Sequence, residues 1–199
     1  MNISTVGSAR ATSSSLNGMS ELLRQAVVEV RSGESGSGTG IIWGGAGLVV
    51  TNAHCVRRGA ALQVGDGEKW RGAQALAYHP HHDLALLAAP SVSGPLLEIR
   101  DPDSLRAGEL VFAYGHPLGI RDSLAMGVVH AVARDKRTND ARWIVADVRL
   151  SPGNSGGPLV DAEGRLVGIN SMVVNGLGVA VPAGLVHRFV ERALSQRAA

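Results

Sequence analysis

Residues 151–159 read SPGNSGGPL, a serine enclosed by glycines and turn-forming residues. Glycine adopts backbone conformations with positive φ and has no side chain, so Gly153, Gly156 and Gly157 permit a tight turn and the close approach of another backbone. Such a loop can direct two backbone N–H groups toward one point beside the hydroxyl of Ser155. A serine in a glycine-rich turn is more often only part of the turn, so the rest of the chain must decide its role.

Two segments earlier in the chain carry side chains that complement a serine hydroxyl. TNAHC at 51–55 follows an apolar strand pattern, and HDLALL at 82–87 opens another. Acyl transfer by serine needs a hydroxyl that attacks, an imidazole that takes and returns a proton, and a carboxylate that fixes the imidazole tautomer. The order His, Asp, Ser matches the chymotrypsin arrangement, not the subtilisin or α/β-hydrolase orders. We predict His54 as general base, Asp83 as its orienting partner and Ser155 as nucleophile.

The same loop predicts a site for the negative charge that develops on the attacked carbonyl. Preorganised backbone N–H groups stabilise such an oxyanion best. We assign Gly153, Asn154 and Ser155 to this oxyanion hole, with the N–H groups of Gly153 and Ser155 as the two donors.

The pattern of apolar runs predicts an all-β protein of two packed, six-stranded antiparallel β-barrels followed by a short C-terminal helix. About six short strand patterns lie within 25–90, a Pro-, Ser- and Asp-rich connector within 91–107, and about six more within 108–182. Residues 183–196 have apolar side chains at helical spacing. We expect residues 1–18 to form a disordered tail before a protease-type domain at 19–199, and SGESGSGTG at 32–40 to be a flexible loop.

Composition excludes several classes of function. The chain has 199 residues, a net charge of +2 and scattered basic residues, which does not favour nucleic-acid binding. No apolar run approaches the roughly 20 residues needed to span a membrane, so we expect no membrane partner. Its single cysteine, Cys55, cannot form an intrachain disulfide and is expected to be a small buried residue. With no secretory signal visible, the default location is the cytoplasm, or the periplasm if the chain is a processed fragment.

The motifs together resemble the trypsin-like serine proteases, most closely the HtrA/Deg subgroup. The resembling stretches are SGSGTGIIW, GLVVTNAHCV, HHDLALL, LRAGELVFAYGHPLG, ADVRLSPGNSGGPLVDAEGRLVGINSM and LGVAVP, in the order found in that family. The resemblance implies a chymotrypsin-like fold, an active site between the barrels, and a substrate that pairs with the strand Asn170, Ser171 and Met172. Asn154 replaces the aspartate of zymogen-type trypsins, so activation by cleavage is not expected. The HtrA subgroup usually carries a PDZ domain after the protease domain, and because only 17 residues follow Pro182 we expect none in this sequence.

Arg149 leaves the substrate preference open. In trypsin-like relatives its position lies at the base of the primary specificity pocket, where an inward guanidinium favours an acidic P1 side chain. The alternative is that Arg149 turns outward and the pocket is apolar, because a buried unpaired guanidinium is costly. We favour the second interpretation, with Met172, Val179 and Ala180 as candidate pocket residues, and also assign Leu150 to substrate binding.

His79, His81 and His82 form a cluster that could bind a metal, but no second pair of ligands lies at a useful spacing. We therefore predict a solvated loop, with no metal and no cofactor. The function predicted from the sequence is a serine endopeptidase acting on unfolded or flexible polypeptides. Two alternatives are a latent or inactive protease-fold module that binds peptides, and an esterase-like acyl hydrolase. The oligomeric state is not predicted.

Overall fold

The structure is a computed structural model that describes residues 6–33, 36–44, 47–66, 68–101, 104–136, 138 and 140–198. It contains two closed six-stranded antiparallel barrels, as predicted from the sequence. The strands of the first barrel are β1 Val27–Ser32, β2 Gly36–Ile42, β3 Leu48–Thr51, β4 Leu62–Gly65, β5 Trp70–His79 and β6 Leu84–Ala88. Those of the second are β7 Leu110–Gly115, β8 Ser123–Arg134, β9 Ala141–Asp147, β10 Pro158–Asp161, β11 Leu166–Val174 and β12 Leu177–Pro182.

The first barrel corrects the prediction of a flexible loop at residues 32–40. Strand β2 runs through this glycine-rich stretch and pairs with β1, with Thr39 opposite Glu29. A Cβ atom on Gly38 would lie 2.5 Å from the Sγ of Cys55, and one on Gly40 would lie 2.5 Å from a methyl group of Val49. These glycines are therefore required by close packing inside a strand, which composition alone cannot distinguish from flexibility.

In the second barrel, strands β11 and β12 form a hairpin beside the site described below. Only Asn175 and Gly176 connect them, with φ values of 50° and 83°. Positive φ at both positions of a two-residue loop is typical of a tight type I′ turn, which matches the twist of the strands. The hairpin therefore ends without an extended loop.

Both helices contribute to a core that is shared with both barrels, and the first helix corrects the expectation for the N-terminus. Helix α1 spans Val6–Ala26, where the sequence predicted a disordered tail to residue 18; residues 1–5 lie outside the described residues. Met19, Leu23 and Ala26 are buried in an apolar cluster that includes core residues of both barrels and of helix α2, Ala183–Ala198. This tertiary burial stabilises a helix that has little hydrophobic signal of its own. Neither helix in the described part of the chain is long and apolar enough to cross a membrane.

Candidate active site

The three predicted catalytic side chains come from both barrels. His54 lies in a short 3-10 helix directly after β3, and Asp83 lies between the 3-10 helix Pro80–His82 and β6. Ser155 lies in the loop between β9 and β10 of the second barrel. His54 and Ser155 line the same cavity of about 460 Å³. The packing of the barrels thus joins segments that are distant in sequence.

His54 and Asp83 form a hydrogen-bonded pair. The Nδ1 atom of His54 lies 2.8 Å from one carboxylate oxygen of Asp83 and 3.0 Å from the other. This contact, with a smaller contribution from Cys55, raises the pKa of His54 to about 10. Because the pKa is higher than in the unfolded chain, the pair stabilises the fold below about pH 6.5 and the contribution is lost as the pH rises toward 10. The Nε2 atom of His54 is left to exchange a proton with a substrate or nucleophile.

Asp83 is held by hydrogen bonds from several elements. Its carboxylate accepts from the hydroxyl of Ser171 at 2.6 Å and from the backbone N–H of His54 at 3.1 Å, while its carbonyl accepts from the side chain of Asn52 at 2.9 Å. Burial alone raises the pKa of Asp83, but the hydrogen bonds from His54 and Ser171 outweigh it and lower the pKa. The carboxylate therefore stays ionised beside the imidazole. Sequence reasoning assigned Ser171 to substrate binding and did not find this contact.

The hydroxyl of Ser155 has a hydrogen-bond partner other than His54. It donates a hydrogen bond to the carbonyl of Ser171 at 3.1 Å, and within the described residues it forms none to His54. The imidazole is half exposed, with 51% of its side-chain surface accessible, so solvent reaches it. Catalytic hydrogen bonds are often absent or long before substrate binds, so this geometry is compatible with Ser155 as the nucleophile.

The loop around Ser155 leaves two backbone donors available. The N–H groups of Gly153 and Ser155 have no acceptor within the part of the chain that the structure describes, and both residues line the cavity. The N–H of Asn154 instead donates to the carbonyl of Ser151 at 3.0 Å, so the structure does not offer Asn154 as an oxyanion donor. Gly153 has a φ of 106°, and a Cβ atom there would lie 2.4 Å from the carbonyl oxygen of His116. Only glycine fits this position.

Thr39, which the sequence analysis did not single out, ties this loop to the first barrel. Its buried hydroxyl donates to the carbonyl of Gly153 at 2.6 Å and accepts from the N–H of His116 at 3.3 Å. The backbone N–H of Thr39 donates to the carbonyl of Ser155 at 2.8 Å. The hydroxyl of Thr51 donates in turn to the carbonyl of Thr39 at 2.6 Å. Two buried threonines thus hold the loop at residues 153–155 in a fixed position against β2.

We expect Thr39→Val to lower both stability and activity. Valine keeps the shape of threonine but leaves the Gly153 carbonyl and the His116 N–H without this partner, a loss of about 1–3 kcal/mol in the free energy of unfolding. Urea denaturation measures the stability, and peptide hydrolysis measures kcat. Thr138→Val, at an exposed position, is the matched control. Equal stability and kcat in the Thr39 variant and the wild type would contradict the role of this hydroxyl.

The cavity separates the predicted substrate-binding residues into two groups. Leu150, Ser171 and Met172 line it. Arg149 is exposed and does not line it, and the buried Asn170 and Ala180 do not line it either. The complete lining is Ser37, His54, Leu150, Ser151, Pro152, Gly153, Asn154, Ser155, Ser171, Met172 and Val173.

The motif does not specify which face of a strand each side chain occupies, and Asn170 and Ala180 lie at buried positions of β11 and β12. The amide of Asn170 points inward and donates to the carbonyl of Pro158 at 3.0 Å. The position of Arg149 agrees with the interpretation in which its guanidinium turns outward. The cavity wall at this end is formed by apolar side chains, Leu150, Met172 and Val173.

We expect Arg149→Ala to leave the preference for the P1 residue unchanged, since the guanidinium does not reach the cavity. Cleavage of a peptide library by the variant and the wild type tests this directly. Leu150→Ala, which changes the cavity wall, is the comparison that should shift the profile. Selective loss of cleavage after Asp or Glu in the Arg149 variant would show that the side chain does contact substrate.

Comparisons with known proteins agree with this geometry. Residues 38–169 match the family described as "Trypsin-like peptidase domain". The chain belongs to this family. It is 34% identical over 182 residues to serine protease HTRA4 of Mus musculus, and the match covers 86% of this chain and 37% of the relative. It is 31% identical over 172 residues to a Chlamydia pneumoniae protein named "Probable periplasmic serine endoprotease DegP-like", covering 81% and 35% of the two chains.

Two solved structures of proteases have a fold similar to that of this chain. A serine endoprotease from Yersinia pestis superimposes with a TM-score of 0.79 at 26% identity, covering 90% of this chain and 66% of the other. The structure of an HtrA-type protease with a tripeptide gives a TM-score of 0.78 at 27% identity, covering 88% and 62%. The family resemblance inferred from the sequence is confirmed: this is an HtrA-like, chymotrypsin-fold peptidase domain. The chain spans 34–40% of the length of several curated relatives.

Proposed function

We propose that the chain is a serine endopeptidase that cleaves unfolded or flexible polypeptides through an acyl-enzyme on Ser155. The observation that carries the proposal is the chain of hydrogen bonds from Ser171 to Asp83 to His54, beside a cavity that also contains Ser155 and two available N–H donors. A binding scaffold has no need for a partly buried carboxylate that is hydrogen-bonded to an imidazole. Membership of the trypsin-like peptidase family supports the same conclusion.

The mechanism assigns one role to each group. The hydroxyl of Ser155 leaves the carbonyl of Ser171, turns to Nε2 of His54 and attacks the substrate carbonyl as its proton moves to that nitrogen. Asp83 stabilises the resulting imidazolium, and the N–H groups of Gly153 and Ser155 bind the oxyanion. His54 then gives the proton to the leaving amine as the peptide bond breaks. Water, deprotonated by His54, hydrolyses the acyl-enzyme and restores the hydroxyl.

Substrate selection follows from the cleft. An extended peptide can pair its backbone with β11 at residues 171–173, which requires the segment to leave its own fold. Met172 and Val173 are exposed apolar side chains at this strand, with 41% and 51% of their surfaces accessible. Together with Leu150 they form an apolar wall for the P1 side chain. We therefore propose uncharged, aliphatic P1 residues in flexible chains as the substrate class.

The alternative, a latent protease-fold module that binds peptides, is favoured by one observation. The hydroxyl of Ser155 donates to Ser171 and not to His54, so the nucleophile is not activated in this conformation. Labelling of the purified protein with a fluorophosphonate separates the two functions. A covalent adduct on Ser155, together with hydrolysis of an unfolded protein such as reduced casein, supports the endopeptidase. Absence of labelling in the folded protein, with peptide binding retained, would establish the alternative.

We also propose a periplasmic location. The name of the Chlamydia pneumoniae relative includes that compartment, and a relative from Chlamydia muridarum carries the same name. The cytoplasmic default suggested by the sequence gains no support from these relatives.

A further inference from the structure

A second cavity, of about 520 Å³, lies at the His79–His82 segment and shares no lining residue with the active-site cavity. Its walls come from three places: the segment that leads into Asp83, the β8–β9 connection with the start of β9, and helix α2. A volume of several hundred Å³ is typical of sites for small molecules. The lining residues are His79, His81, His82, Asp135, Thr138, Asp140, Ala141, Arg142, Leu185, Arg188, Phe189 and Arg192.

Three guanidinium groups give this cavity its charge. Arg142 lies on β9, and Arg188 and Arg192 lie one turn apart on α2. None of the three forms an ion pair with another residue in the described ranges. Asp135 and Asp140 also line the cavity, so cationic side chains outnumber carboxylates by three to two before any histidine is protonated. Unpaired guanidinium groups converging on one cavity are typical of sites that bind carboxylate or phosphate.

The surroundings of the three histidines indicate how the cavity interacts with charge. The rings of His79 and His82 stack at 4.3 Å, and Nε2 of His81 lies 3.4 Å from the guanidinium of Arg142. Burial lowers the pKa of His82 first, and the neighbouring His79, His81, Arg142 and Arg188 lower it further. Burial disfavours a charge of either sign, whereas the neighbouring cationic groups specifically disfavour a further positive charge.

Within the described residues, no group of three or more His, Cys, Asp or Glu side chains has the geometry to hold a metal ion. A divalent cation would also meet the repulsion of the two guanidinium groups beside His82. An anion meets attraction from the same groups.

One part of the cavity wall is apolar. Leu185 and Phe189, both half-buried on α2, provide hydrophobic surface, and the ring of Phe189 meets His79 edge to face at 6.2 Å. We propose that this cavity is a binding site for a small organic anion, with its phosphate or carboxylate group on Arg142, Arg188 and Arg192 and an apolar body against Leu185 and Phe189. The proposal does not depend on peptidase activity, because the two cavities share no residue.

Calorimetric titration of the whole chain at low ionic strength tests the site with four probes: phenyl phosphate, phenylacetate, inorganic phosphate and benzyl alcohol. We expect phenyl phosphate or phenylacetate to bind at least roughly tenfold more tightly than inorganic phosphate, because the ring buries apolar surface. Benzyl alcohol, which lacks the charge, should not bind measurably. The stronger of the two aryl anions identifies phosphate or carboxylate as the preferred group. Absence of binding by both at millimolar concentration would overturn the proposal.

Substitutions in the cavity test whether the anion binds there. Arg188→Gln and Arg142→Gln each remove one charged donor and should weaken the binding of the aryl anion by roughly tenfold or more. Arg197→Gln, on the same helix but outside the cavity, is the matched control and should bind like the wild type. Ser155→Ala should also bind normally, which separates this site from the catalytic one. Unchanged affinity in both Arg142 and Arg188 variants would place the anion elsewhere and reject the assignment.

Discussion

Replacing Ser155 with alanine should lower kcat for peptide hydrolysis by about 10⁶-fold, the scale seen when the nucleophile of a serine protease is removed. The loss is this large because no acyl-enzyme can form without the hydroxyl, whereas the oxyanion donors and the cleft remain. Hydrolysis of a fluorogenic peptide with an aliphatic P1 residue measures the effect. Labelling by a fluorophosphonate should disappear in the same variant.

The fold should survive this change. The described contact of the Ser155 hydroxyl is a single hydrogen bond to the carbonyl of Ser171, at a half-buried position. The unfolding temperature should therefore stay within a few degrees of the wild type. Ser151→Ala, in the same loop and also lining the cavity, is the matched control and should keep most of the activity. Activity of the Ser155 variant within tenfold of the wild type would show that another group is the nucleophile.

The sequence was sufficient to predict the two-barrel architecture, and it selected the hydrogen-bonded pair His54 and Asp83 together with Ser155, which lines the same cavity as His54. Strand signals such as LVVT at 48–51 and LALL at 84–87 occur at positions that are buried on both sides, where apolar periodicity and burial agree. The triad was recognised because its chemistry needs three particular residue types in a particular chain order. Each of these signals lies within a single short segment of the sequence.

The elements that the sequence missed depend on contacts between distant segments. Strand β2 is rich in glycine because Cys55 and Val49 approach its backbone closely, and this approach is invisible until the barrel is closed. Helix α1 is stabilised by the burial of Met19 and Leu23 in a core shared with both barrels and α2. Thr39 acts on a loop more than 100 residues away. A Thr in a glycine-rich strand gives a weak signal, and only the partner reveals its role.

Replacing Asp83 with asparagine should lower kcat by about 10⁴-fold. Asparagine keeps the size of aspartate and can retain the contact with Ser171, but it cannot provide a charge for the imidazolium and can hold His54 in the wrong tautomer. Peptide hydrolysis at saturating substrate measures the change. Asp147→Asn, at an exposed position on β9, is the matched control. Loss of less than tenfold would show that Asp83 does not act on His54 during catalysis.

The pH profile gives an independent test of the same contact. A general base must be neutral to accept the proton of Ser155, so kcat/KM rises with pH through the pKa of the base in the free enzyme. Asp83 is the largest of the causes that, together with Cys55, raise the pKa of His54 to about 10, so the acid limb of the wild type should lie above the ordinary imidazole value of about 6.5. Asp83→Asn removes the negative charge, and the limb of its residual activity should move to lower pH. A limb that stays in place would mean that Asp83 does not set the pKa of the base. A merely structural Asp83 would lower activity without moving this limb, so the direction of the shift distinguishes positioning plus charge from packing alone.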